Sequence, residues 1–117
     1  MTIQEQYENL EKTVRGYNPA ADFQHIRAAF EFAAEAHKDQ KRKSGEPYII
    51  HPLAVAQIVA EELRLDSESI EAALLHDVIE DTAATHEQVS KLFSPTIADL
   101  VEGVSKLTRI QYATKED

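Results

Sequence analysis

The 117-residue chain has no cysteine, which excludes disulfides and thiolate metal sites and fits a reducing compartment. Glycine and proline are also scarce, at three and four residues, and no tract is of low complexity. The chain therefore has no flexible Gly/Ser linker and no Gly-rich phosphate loop. No apolar run approaches the roughly 20 residues that a membrane-spanning helix needs. The opening Met1-Thr2-Ile3-Gln4-Glu5-Gln6 lacks the basic and apolar regions of a signal peptide, so the cytoplasm is the expected location. Basic residues are outnumbered, with 12 Lys and Arg against 21 Asp and Glu for a net charge of -9. That balance argues against nonspecific binding to nucleic acid or anionic membrane. There is no alternating β pattern, no hairpin dipeptide, and no Ser or Cys nucleophile with a matching base. The one β-looking run, Tyr48-Ile49-Ile50, is too short to make a sheet.

What is present is the composition of a globular protein, 43% hydrophobic and 28% charged, with enough length for one domain or part of one. Ile3, Tyr7, Leu10 and Val14 recur at helical spacing, and Gly16 with Asn18-Pro19 supplies a stop and a restart. A second helix, opened by Asn18 and Pro19, carries Phe23, Ile26, Phe30 and Ala33 and ends near Lys38. The basic, turn-forming segment from Lys38 to Pro47 reads as an ordered loop. Pro52 suits a first helical position, which puts His51 at the start of a third helix bearing Leu53, Ala56, Val59 and Leu63. Asp66 caps a fourth, with Ile70, Ala73 and Leu74, expected to continue through Thr82. Thr85 and Gln88 form a capping box for a short helix, and Ser94-Pro95 opens a longer one through Ile97, Leu100, Val101, Val104 and Leu107. The expected fold is all-α, with about six helices.

Leu74-Leu75-His76-Asp77-Val78-Ile79-Glu80-Asp81-Thr82 is the unusual stretch. Its helix is apolar nearly all round and so expected to be buried, where a carboxylate is costly unless it is paired, hydrogen-bonded or bound to a metal. If the third and fourth helices form an antiparallel hairpin with its turn near residue 65, His51 and His76 differ in height by roughly 5 Å. Both imidazoles can then face one site. His51, His76 and Asp77 offer the nitrogen and oxygen donors that suit a first-row divalent ion, and the helix start disfavours protonation of His51. The same residues also fit a plainer arrangement, with His76 paired to Glu80 and with Asp77 and Asp81 on a solvated flank.

Glu80 and Asp81 are candidates for acid and base work beside an ion, or simply charges at a helix end. Arg42, Lys43 and Ser44, with Lys41, can hold phosphates or form a solvated face. His37 is expected to cap or pack at its helix end, and His25 and His86 to lie on the surface.

Three ordered motifs resemble a known family. They are Arg42-Lys43-Ser44-Gly45-Glu46-Pro47-Tyr48-Ile49-Ile50-His51-Pro52, Ala73 through Thr82, and Val101-Glu102-Gly103-Val104-Ser105-Lys106-Leu107. Together they resemble the N-terminal hydrolase domain of the Rel/Spo (RelA/SpoT) enzymes, in the HD phosphohydrolase superfamily, over about residues 22–112. The resemblance implies an HD helical fold and manganese-dependent removal of the 3′-pyrophosphate from the guanosine alarmones ppGpp and pppGpp, the chemistry of the stringent response. By matching positions it makes His51, His76 and Asp77 metal ligands, gives the hydrolytic water to Glu80 and Asp81, and gives nucleotide contacts to Arg42, Lys43 and Ser44. In the family a fourth metal ligand, an Asp on a later helix, and further nucleotide contacts lie downstream of the third motif. Residues 1–117 are accordingly expected to be a partial hydrolase domain, incomplete on its C-terminal side. Ser94-Pro95 stands where the family often has glycine, a departure expected to alter only a turn. Two other readings stay open. One is an HD phosphohydrolase for a different nucleotide. The other is a noncatalytic domain that binds nucleotide or self-associates through apolar surface left uncovered.

Overall fold

The computed structural model describes residues 2–103, with Glu80 and Asp81 described by their backbone alone. The helices run in the order α1 (Ile3–Tyr17), α2 (Phe23–Ala36), α3 (Ile50–Ile58), α4 (Ser67–Leu75), α5 (Val78–Asp81) and α6 (His86–Leu92). A further helix, α7, covers 95–103. Val104, Leu107 and the end of the third motif lie outside the described residues. Among the described residues there is no strand, only an isolated antiparallel bridge between Lys41 and Pro47, and the fold is all-α as expected. No helix among them is long and apolar enough to cross a membrane.

Local chemistry accounts for most boundaries. Thr2 and Glu5 cap α1 reciprocally, and Thr85 and Gln88 do the same for α6. Asp66 accepts from the Ser69 amide to open α4, and Ser94 Oγ accepts from the Ile97 amide at 3.0 Å to open α7. The start of α2 differs from expectation. Asp22, not Asn18, supplies the cap by accepting from the His25 amide, while Asn18 closes α1 through its own N–H to the Val14 carbonyl. A carboxylate placed three residues before an amide caps more directly than a proline start, and it moves the helix on to Phe23. α3 ends in a π-helical turn, Val59–Leu63, closed by Arg64 at φ 48°.

The core gathers around α4, which packs against both α2 and α3. Ile70 through Leu75 are all buried, so the helix is enclosed on all sides, as its composition requires. Tyr7, Leu10 and Val14 of α1, Ile26 and Phe30 of α2, and Leu53 and Ala56 of α3 complete the cluster. Tyr7 stacks on Phe30 at 4.4 Å between ring centroids. Burying a leucine such as Leu74 contributes about 1.5–3 kcal/mol.

One buried side chain works against this. Glu71 is 1% exposed and its Oε1 finds no hydrogen-bond partner among the described residues. His25 Nδ1 lies 3.8 Å from Glu71 Oε1 and 3.5 Å from Asp22 Oδ2. Burial pushes the Glu71 carboxyl up from its ordinary 4.5 to about 7, with the negative charges of Asp22, Glu68 and Asp66 adding to it. The folded chain therefore binds more protons than the unfolded chain between those two values. Stability is expected to fall as pH rises from about 4.5 to about 7, by roughly 3 kcal/mol at most, and to level off above. Glu71→Gln should remove that fall in urea unfolding measured at several pH values. An unchanged pH slope in the variant would assign it to another group.

Candidate functional site

His76 directly follows the last residue of α4, and the chain leaves the helix there instead of continuing through Thr82. The cause is local. His76 Nδ1 lies 2.6 Å from the Ala73 carbonyl oxygen, the acceptor that the amide of residue 77 would occupy in a continued helix. The imidazole thus caps the end of α4 with its own N–H, and Asp77 settles at φ -97°, ψ -5° before α5 begins. A carbonyl can only accept, so Nδ1 carries the proton and Nε2 presents its lone pair away from the helix.

His51 enters from the first turn of α3, its ring 5.4 Å from that of His76 between centroids. The two imidazoles meet at one place, as the expected hairpin allows. Asp77 Oδ2 lies 3.1 Å from His76 Nε2 and 3.5 Å from His51 Nε2, and one donor atom from each of the three residues falls within 4.8 Å of the others. A lone pair and a carboxylate oxygen 3.1 Å apart repel unless a proton or cation lies between them. Ligand atoms at about 2.0–2.2 Å from a first-row ion sit roughly 3 Å from one another, so the donor set fits a divalent cation.

The basic loop meets the same place. Arg42 N–H donates to the Glu46 carbonyl at 2.9 Å, Gly45 N–H to the Arg42 carbonyl at 2.8 Å, and Tyr48 N–H to the Gln40 carbonyl at 3.1 Å. Gly45 sits at φ 89°, where a side chain would be strained. The loop is thus ordered by its own backbone. Lys41, Arg42, Lys43 and Ser44 line a cleft of about 590 Å³ together with Tyr48 and His51, so His51 belongs to the cleft and to the donor cluster at once.

Comparison with known proteins gives the chain its family. The sequence model of the HD domain family matches residues 29–117. The chain belongs to the HD domain family. It is 48% identical over 111 residues to the bifunctional (p)ppGpp synthase/hydrolase SpoT of Escherichia coli K12, covering 95% of this chain and 16% of that protein. It is 50% identical over 109 residues to a guanosine-3′,5′-bis(diphosphate) 3′-pyrophosphohydrolase of Aquifex aeolicus, covering 93% of this chain and 15% of that one. A solved structure of a metazoan ortholog of SpoT, described as hydrolysing ppGpp, superposes with a TM-score of 0.64 at 38% identity, over 67% of this chain and 46% of its own. The chain thus spans about a sixth of the length of the curated relatives. The resemblance to Rel/Spo enzymes carried by the motifs is borne out.

Within this HD domain, burial pushes the Asp77 carboxyl up, but the hydrogen bond and charge that His76 supplies when Nε2 is also protonated, the Tyr48 hydroxyl and positive charge at His51 outweigh it and hold the group below the usual carboxylate range. Tyr48 Oη donates to Asp77 Oδ2 at 2.9 Å, a contact absent from the expectations above. α5 carries Glu80 and Asp81 just after Asp77, and their side chains lie outside the described residues. On the other flank of His76, Val55, Val59, Leu65 and Leu100 line an apolar cleft of about 190 Å³.

The remaining histidines divide. His37 caps α2, is buried, and pairs Nδ1 with Gln40 Oε1 at 2.7 Å. His25 lies on the surface side of α2 with half of its side chain exposed. His86 pairs with Asp99 at 3.0 Å and with Glu102 at 3.8 Å in an exposed ion-pair group. His76→Ala should destabilise the metal-free chain by about 1–3 kcal/mol, because it strips a buried carbonyl of its donor. Urea unfolding in chelator measures this, and a loss below about 0.5 kcal/mol would mean that the helix end repairs itself.

Proposed function

We propose that this chain carries the metal-binding and phosphate-binding core of a (p)ppGpp 3′-pyrophosphohydrolase, acting on a guanosine alarmone to give GDP or GTP and pyrophosphate. The observation that carries this reading is that His51 is shared between a two-imidazole, one-carboxylate donor set and a cleft lined by Lys41, Arg42, Lys43 and Ser44. The names of the relatives support the choice of substrate.

In this reading His51, His76 and Asp77 hold a divalent cation, for which Mn²⁺ suits a mixed imidazole and carboxylate set without thiolate. When bound, the ion supplies Lewis acidity and positive charge for phosphoryl chemistry. The Arg42 guanidinium grips a phosphate in a planar fork, Lys43 adds a point charge, and Ser44 offers a hydroxyl. The reaction adds the oxygen of water to the phosphorus next to the ribose, breaks the bond from that phosphorus to the 3′ oxygen, and leaves a proton on that oxygen. Glu80 and Asp81, carried by α5 beside Asp77, are the proton acceptor and donor of this exchange.

The test is pyrophosphate release from ppGpp with and without Mn²⁺. Release is expected to require the ion, to be lost in Asp77→Asn, and to show a KM raised about tenfold or more in Arg42→Ala, the loss of a charge-assisted contact of about 1.5–3 kcal/mol. Saturable ppGpp binding without pyrophosphate release would favour the noncatalytic reading instead. Release from a different 3′-phosphorylated nucleotide in preference to ppGpp would move the assignment to another HD phosphohydrolase.

A further inference from the structure

We infer that Tyr48 is a positioning residue for the donor cluster, its hydroxyl holding the Asp77 carboxylate toward both imidazoles and so tying the basic loop to the candidate metal site. The inference rests on the reading of His51, His76 and Asp77 as metal ligands.

An aspartate carboxylate is poorly fixed by its own torsions, because the terminal sp³–sp² rotation is broad and roughly two-fold. Its direction must come from outside. At Asp77 the oxygen nearest both imidazole nitrogens, Oδ2, is also the one that accepts from Tyr48 Oη at 2.9 Å. The phenol can aim because it is itself immobilised. The backbone of Tyr48 is tied on both sides, its N–H to the Gln40 carbonyl at 3.1 Å and its carbonyl to the His51 N–H at 2.9 Å. Its ring lies against His37 at 4.7 Å between centroids, and meets His51 edge-on at 5.8 Å. His37 in turn is only 1% exposed and is anchored through Nδ1 to Gln40.

A row of three rings, His37, Tyr48 and His51, therefore runs from the end of α2 to the donor cluster. Tyr48 occupies the middle and lines the basic cleft as well. Hydrogen bonds of this kind to ligating carboxylates fix ligand orientation, and their removal weakens metal affinity by about 10–100-fold. A tyrosine that merely packs, with its hydroxyl incidentally satisfied, would leave affinity unchanged when that hydroxyl is removed.

The experiment measures Mn²⁺ binding to the intact chain by titration calorimetry and by electron paramagnetic resonance of the free ion. It compares wild type, Tyr48→Phe, and Leu10→Ala as a core variant on α1 that lowers stability outside the site. Tyr48→Phe keeps the ring and its packing, so the same stoichiometry with affinity weakened about 10–100-fold is expected, while Leu10→Ala binds as wild type does. Equal affinity in wild type and Tyr48→Phe overturns the role of Tyr48 and leaves the metal site standing. An equal loss in Leu10→Ala overturns it too, by making the effect one of stability. No saturable uptake by wild type overturns the metal reading itself, and the inference with it.

Discussion

The hydrogen bond from His76 Nδ1 to the Ala73 carbonyl is the contact on which the site depends. It ends α4 by replacing a backbone donor with a side-chain donor. It also assigns the tautomer, because a proton committed to Nδ1 leaves the Nε2 lone pair facing Asp77. And by stopping the helix it lets Asp77 turn back to within 3.1 Å of the same imidazole. In an unbroken helix, neighbours differ by about 100° around the axis, and a short aspartate would reach less directly toward the histidine before it.

Such a break is tolerated because α4 is so well buried. Six consecutive residues, Ile70 through Leu75, are removed from solvent, and the apolar ones among them, at about 1.5–3 kcal/mol for each large side chain, outweigh two polar exceptions, Glu71 among the six and His76 just after them. These exceptions are handled differently. His76 is satisfied by the helix it terminates, whereas Glu71 Oε1 has no hydrogen-bond partner among the described residues, and burial shifts that carboxyl toward its protonated form.

The loop between α2 and α3 supplies the other half of the site. An acidic chain gathers three successive cationic residues, Lys41 to Lys43, on a turn closed by Gly45 at φ 89° and pinned by backbone hydrogen bonds. Exposed charges on a mobile loop would act weakly through water. Held by the loop backbone over a cleft shared with His51, they present a fixed positive rim beside a donor set of opposite character. That combination is what recognition of a polyphosphate beside a divalent ion requires.

Much of this was legible from residue spacing. The caps at Asp66, Thr85 and Ser94, the buried stripes of α1 and α2, the all-α class and the approach of His51 to His76 follow from rules that act within a few residues or along one hairpin, whereas Leu63 and Leu100, placed on apolar stripes by their spacing, are exposed. A cap reads only the amides three positions ahead, and helical rise is constant enough to count with. The helix break at His76, the move of the α2 cap to Asp22, the upward shift of the Glu71 carboxyl and the Tyr48 contact were not legible. Each depends on which of several competing donors and acceptors is brought close in three dimensions. Tyr48 and Asp77 are 29 residues apart, and no local pattern distinguishes a tyrosine that aims a carboxylate from one that fills a core. The sequence by itself determined which residues make helices and where imidazoles, carboxylates and cations are set along them. Only the tertiary structure decided how those groups face one another, because a hydrogen bond is set by distances of tenths of an ångström between elements that do not meet until the chain is packed.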